Sequence, residues 1–237
     1  MSQRVVVGMR RWLRDIADFF FPRTCRVCGR VLLHHEEFLC MQCMLDMPRT
    51  AFDSAPDNAM AQLFYGKVYV ERAMAYFYFA KGSDYRRLIH RIKYNGEKEC
   101  GRYLGMMMAR EACTQHFFDG IDFIVPVPLH YFKELKRGYN QSEWIAQGIA
   151  QETGIPLCTG ELVSRRHRVS QTHKGIYDRY LATREAFELL PDSELVGSHV
   201  LIVDDVVTTG ATLAACAEAL LAGGVRQVSM ATLAAAK

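Results

Sequence analysis

Apolar positions along the chain recur with periods that outline most of its elements. Trp12, Ile16 and Phe19/Phe20 repeat at helical spacing with Leu13 beside them, and Pro22 stops the run, so a short amphipathic helix is expected there. Residues 48–66 contain Pro48, Asp53, Ser54, Pro56, Asp57, Asn58 and Gly66 without a strong period and read as a linker. Val68–Phe79 is aromatic and β-branched, which predicts a strand. Ser83 can cap a helix whose Leu88, Ile89 and Ile92 share one face and which Gly96 ends. Further helices are expected near Gly101–His116, where Leu104, Met107, Met108 and Cys113 recur, and over residues 140–153, with Trp144, Ile145 and Ile149 inward and Gly154 as the stop. Between them Ile121–Val127 is a compact apolar run of strand length.

The last forty residues have the clearest pattern. Val200–Val203 is an apolar strand, Ala211–Leu221 an alanine-rich helix, Gly223 and Gly224 a stop, and Val225–Leu233 another strand. Strand, helix and strand in so short a span require a right-handed parallel crossover, hence an α/β fold with a parallel sheet.

Composition narrows the classes. Of 237 residues, 50% are hydrophobic and 23% charged, enough to bury a core and to exclude disordered and collagen-like chains. A formal charge of +3 is too mild to imply nucleic acid by itself. The basic residues are clustered, however: residues 81–102 hold seven Lys or Arg against three acids, and residues 130–184 hold nine against five. Both stretches suit an anionic ligand. Arg10, Arg11, Arg14, Asp15 and Asp18 interrupt the opening segment, so no membrane insertion is expected and the chain reads as cytoplasmic.

Cys25/Cys28 and Cys40/Cys43 form two CxxC pairs separated by eleven residues. Each such turn aims two sulfurs at one point, so the four can ligate a structural Zn2+ with no coordination position left for catalysis. A pair of disulfides and four unrelated thiols are the alternatives; the leaderless chain favours metal. His34 and His35 read as solvent-facing loop residues.

The strongest chemical signal is Val200–Thr212, an apolar strand running into Asp204 and Asp205 and then Thr208, Thr209, Gly210, Ala211 and Thr212 at a helix start. Unpaired N–H groups at a helix N-terminus, threonine hydroxyls and a glycine that admits close approach make an anion cradle. Walker A and GxGxxG patterns are both missing. Two acids beside a phosphate are tolerable when sugar hydroxyls and a cation fill the space between, as a sugar phosphate with Mg2+ would.

With these residues the chain resembles the type I phosphoribosyltransferases, whose motif for phosphoribosyl pyrophosphate (PRPP) is an apolar run, two acids and a Thr-Thr-Gly loop. More closely it resembles the ComF/GntX family, in which a cysteine module precedes such a domain. The resemblance runs through Cys25–Cys43, Val125–His130, Arg137–Ser142, Ser170–Thr172 and Asp204–Thr212. It implies a parallel-sheet α/β type I phosphoribosyltransferase-like domain over residues 61–237, after an N-terminal helix, zinc module and linker over residues 1–60. It also implies that Asp204 and Asp205 are the catalytic pair and hold the ribose hydroxyls, and that Thr208–Thr212 wrap the 5′-phosphate. Pro126 to His130 would lie at the pyrophosphate, with Arg137, Asn140 and Gln141 converging on it. Residues 165–174, including Arg168 and Gln171, would be a mobile loop closing over PRPP. The chain departs from the family in lacking a Thr shortly before Gln171 and an Asn near Ala182. A hood selecting the acceptor would come from residues 67–118 or be missing, and His130 and His173 are the general-base candidates. The expected function is PRPP binding linked to DNA uptake or nucleotide metabolism, with or without transferase activity. The alternative is a non-catalytic accessory that binds single-stranded DNA or a DNA-uptake protein, using the fold as PRPP sensor or scaffold; the basic run Tyr85–Tyr103 suits it.

Overall fold

The computed structural model describes residues 22–50, 57–80, 82–129, 131–164 and 187–236, so the expected helix over residues 12–20 lies outside the described residues. The elements are α1 (Met41–Leu45), a 3-10 turn (Ala61–Phe64), β1 (Ala73–Phe79), α2 (Asp84–Tyr94), α3 (Lys98–Cys113), β2 (Phe123–Pro126), α4 (Tyr131–Arg137), α5 (Gln141–Thr153), β3 (Leu162–Ser164), β4 (Phe187–Leu189), β5 (His199–Val207), α6 (Ala211–Ala222) and β6 (Gln227–Ala236). Four strands make one parallel sheet in the order β1-β6-β5-β2. Both of its margins are continued by shorter pairings. Leu157 bridges Ile124 in parallel beyond β2, with the Cys158 N–H donating to Ile124 O at 2.9 Å. Beyond β1, residues 48–50 run antiparallel, with the Tyr78 N–H donating to Pro48 O at 2.7 Å.

Alternation along the strands loads both faces of the sheet, as a covered parallel sheet requires. Leu201, Val203, Ala231, Leu233, Met74 and Tyr76 face one core, shared with α2, α3 and α5. Val200, Ile202, Val228, Met230, Ala73 and Ala75 face the other, shared with Leu213, Cys216 and Leu220 of α6. The α3–α5 contact is close because of two glycines: a Cβ on Gly105 would lie 2.2 Å from Ile145 O, and one on Gly148 would lie 2.0 Å from Arg102 O.

The cysteine segment joins the first core through Leu39 and Met47. Polar ties add to this. Arg26 Nε donates to Glu97 Oε2 at 2.6 Å, Arg49 makes a bidentate pair with Glu111, and the Tyr85 hydroxyl donates to Cys43 O at 2.8 Å.

Three local expectations need correction. β5 does not stop at Val203: its ladder with β6 continues through Asp204–Thr232 to Val207–Ala235, so the acid pair lies within the strand. The linker reading of residues 48–66 is too loose where those residues are described. Residues 48–50 pair with β1, and Asn58 builds a turn by accepting from the Met60 and Ala61 N–H groups while donating to Ala73 O, which seats Phe64 in the core. The antiparallel pair β3–β4 was not expected; it flanks residues 165–186, which lie outside the described residues. Among the described residues no helix is long and apolar enough to cross a membrane.

Candidate functional site

Sheet order locates the site before any side chain is considered. From β2 the chain passes through α5 to the edge stretch at Leu157, whereas from β5 it passes through α6 to β6 on the other side. The two following helices cover opposite faces, so the carboxyl ends of the adjacent strands β2 and β5 border a topological switch point, where a crevice forms in open α/β sheets. Pro126 pairs with Val203 there, and the Val127 N–H donates to Val203 O at 2.9 Å.

The loop leaving β5 forms the floor of this crevice. Gly210 caps α6 at φ 74°, a left-handed conformation, and a Cβ on it would meet Phe64 Cε1 at 2.9 Å, so both backbone and packing demand glycine. Lys67 Nζ donates to Leu63 O at 2.7 Å and to Thr209 O at 2.6 Å, tying the loop to the segment before β1. Thr208, Thr209, Ala211 and Thr212 remain exposed around the buried glycine, beside the first-turn N–H groups that have no partner within the helix.

The acids are held from two sides. Asp204 Oδ1 accepts from Ser142 Oγ at 2.8 Å and from the Asp205 N–H at 2.8 Å. Asp205 is buried, and its Oδ2 lies 3.2 Å from Lys93 Nζ. Burial foremost, then the neighbouring Asp205 charge, push the Asp204 carboxyl up to about 7 against these hydrogen bonds. Burial raises Asp205 as well, opposed first by Lys93 and further by Arg137. Such a pair is poised to accept hydrogen bonds from hydroxyls, which would replace the solvation lost to burial.

Arg137 reaches the same end of the sheet. Its guanidinium donates to Gln141 Oε1 at 2.6 Å and to the Tyr94 hydroxyl at 3.3 Å, and lies 4.9 Å from the Tyr94 ring centroid. Asn140 is engaged elsewhere: its Oδ1 accepts from the Ser142 N–H and its Nδ2 donates to Val127 O, so it caps α5 and fastens the loop after β2. The structure therefore brings together Asp204, Asp205, the Thr208–Thr212 loop, Pro126 and Arg137, while Asn140 supports them from behind. His130, Arg168, Gln171 and His173 lie outside the described residues.

Sequence reasoning missed two neighbours of the acids. Ser142 follows Asn140 in a capping pattern that was readable, although its contact to Asp204 was not. Lys93 is one cation in a basic helix, and nothing local marks it out.

The second centre is the cysteine cluster. The sulfurs of Cys25, Cys28, Cys40 and Cys43 lie within 4.8 Å of one another, and all four thiols are free. Zinc bound to four sulfurs at about 2.3 Å sets them roughly 3.8 Å apart; Cys28 and Cys40 stand at 3.7 Å. The donor set and its geometry fit the metal. Burial opposes the Cys25 thiolate, yet backbone N–H groups of Cys28, Cys40 and Val27 aimed at it lower the thiol to about 7, whereas burial raises Cys43. A third feature is a cleft of about 420 Å³ at the start of α2, lined by Gly82, Ser83, Arg86, Arg87 and His90.

Comparison with known proteins gives a match to the phosphoribosyl transferase domain over residues 117–237, which begins just before β2 and includes β5 and α6. Competence protein F of Haemophilus influenzae is 31% identical over 147 residues, covering 60% of this chain and 64% of that protein, so the match spans less than two thirds of that relative. DNA utilization protein YhgH of Salmonella typhimurium is 29% identical over 213 residues, 87% of each chain. Competence protein ComFC of Bacillus subtilis is 32% identical over 101 residues, 43% of this chain and 39% of that one.

Proposed function

We propose, for a chain that belongs to the phosphoribosyl transferase domain family as a ComF-type member, that the crevice between β2 and β5 binds PRPP. The observation that carries this reading is the juxtaposition of an acid pair near the carboxyl end of β5, with Asp205 buried, and an open helix N-terminus a few residues later. In this reading Asp204 and Asp205 accept the ribose hydroxyls, and Thr208, Thr209, Gly210, Ala211 and Thr212 surround the 5′-phosphate. Pro126 and His130 border the pyrophosphate, Arg137 offsets its charge from a base fixed by Gln141, and Arg168 and Gln171 close over it.

For transfer, an acceptor nucleophile bonds to C1 of the ribose as the C1–O bond to pyrophosphate breaks, the electron pair leaving with pyrophosphate through an oxocarbenium-like state. Mg2+ bound to the pyrophosphate would neutralise charge on the leaving group. The chain's own part is to fix the ribose through the acid pair, hold the phosphate still, and present Arg137 to the departing anion.

The cysteine cluster is read as a structural zinc site in a module ending near residue 60, which supports the domain over residues 61–237. The relatives' names, a competence protein and a DNA utilization protein, support a role linked to DNA; within this reading the setting is cytoplasmic and the partner is single-stranded DNA or a DNA-uptake protein.

Calorimetry at millimolar Mg2+ tests the reading. PRPP should bind, ribose 5-phosphate should bind more weakly, and Asp204→Asn with Asp205→Asn should weaken PRPP binding. Absence of PRPP binding rejects the site. Pyrophosphate release on adding candidate acceptors then separates a transferase from a sensor.

A further inference from the structure

Asp205 has a partner from outside the region that matches the phosphoribosyl transferase family. Lys93 belongs to the last turn of α2, well before residue 117, and its ammonium stands 3.2 Å from Asp205 Oδ2, with the two side chains 24% and 4% exposed. Among the described residues no hydrogen bond of good geometry reaches that oxygen, so the ammonium beside it is what offsets its charge.

The helix has little freedom to withdraw this cation. Leu88, Ile89 and Ile92 are buried in the core, the Tyr85 hydroxyl holds Cys43 O, and the Tyr139 hydroxyl donates to Ile92 O. Just past its end, Glu97 is shared by Arg26 and Arg91. The cysteine segment thus grips both the start of α2 and the turn that follows it.

A buried carboxylate next to another loses ionisation unless a cation compensates, and a protonated oxygen is a poor acceptor for a sugar hydroxyl. We propose that Lys93 is a positioning residue for ribose recognition: from the N-terminal half of the chain it keeps Asp205 ionised and turned toward the crevice. The proposal rests on the reading that the acid pair receives ribose hydroxyls. Among the described residues, the charged or titratable groups facing the pair are Asp204 and Asp205 from β5, Lys93 from α2, Arg137 at the end of α4, and Cys216 of α6, which faces Asp204.

The test uses the full chain with 13C-labelled aspartate. In the ligand-free protein, Lys93→Met should move the Asp205 carboxyl titration upward by about one pH unit or more, the scale of a neighbouring opposite charge, while Lys93→Arg should leave it near the wild-type midpoint. At pH 7 Lys93→Met should bind PRPP roughly tenfold or more weakly, the same unit expressed as an equilibrium, and the gap should narrow at pH 9. Lys93→Gln, which keeps a polar end on the helix, serves if the methionine variant does not fold. An unmoved Asp205 midpoint in a folded variant overturns the proposal whatever PRPP does. A moved midpoint with unchanged PRPP affinity overturns the recognition role. Wild-type protein that binds no PRPP overturns the ribose reading instead, and the titration alone then decides whether Lys93 governs Asp205.

Discussion

Ser142 Oγ donates to Asp204 Oδ1 at 2.8 Å across 62 residues of sequence, and the N–H of the same serine is held by the side chain of Asn140. One residue thus closes the start of α5 and orients the first acid of β5. Ser142→Ala should leave the helix cap in place, because the Asn140 bond goes to the backbone. It should lower PRPP affinity about 10- to 100-fold, the worth of a hydrogen bond to a charged group at roughly 1.5–3 kcal/mol. Calorimetry beside an unchanged far-ultraviolet spectrum checks this.

The Asp204 carboxyl gives the protein a signed pH response. Its folded-state value of about 7 stands above the usual carboxylate value of roughly 4, so between these values the folded chain binds more protons than the unfolded one. Its contribution to stability therefore falls as pH rises from about 4 to about 7. Urea midpoints at pH 5 and pH 7.5 should differ less for Asp204→Asn than for wild type. PRPP affinity should run the opposite way and rise through the same window, since ribose hydroxyls need an ionised acceptor.

Gly148→Ala and Gly105→Ala should each destabilise the α3–α5 contact, since the added carbon would have to displace backbone rather than a flexible side chain. A cost of about 1–3 kcal/mol or more is expected from overpacking. The double change should cost less than the sum, because separating the helices relieves both clashes. Denaturant titration of the three variants reads this out.

Elemental analysis should find about one zinc per chain, and Cys25→Ser or Cys43→Ser should release it. Structural zinc contributes on the order of 10 kcal/mol to modules of this kind, so the segment around Leu39 and Met47 should lose protection from proteolysis. The loss should reach α2 through Tyr85, whose hydroxyl holds Cys43 O. A chain without zinc that is fully resistant would contradict this.

Much of this was legible because it is local. Val200–Thr212 writes strand, acids, threonines and helix start in one stretch, and that is the order in which β5, the loop and α6 occur. The cysteine pairs were legible for the same reason. What escaped is carried by backbone or by distance. Residues 48–50 join the sheet through main-chain bonds, which leave no side-chain period, and β3 and β4 have three residues each, too few for one. Lys93 meets Asp205 only because α2 folds across the sheet, and its neighbours Arg86, Arg87 and Arg91 have the same local character. Asn140 was expected to converge on the ligand from its place in the chain, whereas its side chain is directed at a helix cap and a carbonyl, partners that its local sequence does not reveal.

The short pairings at the two margins of the sheet have a consequence for how the protein behaves in a crowd. A bare outer strand offers a row of N–H and C=O groups that another chain can copy itself onto, the first step of edge-to-edge aggregation. Here residues 48–50 already run along β1, and the stretch around Leu157 already bonds to β2. An incoming strand would have to evict one of them, and Arg49, at the centre of the first, is clamped by Glu111 and stacked on Tyr76.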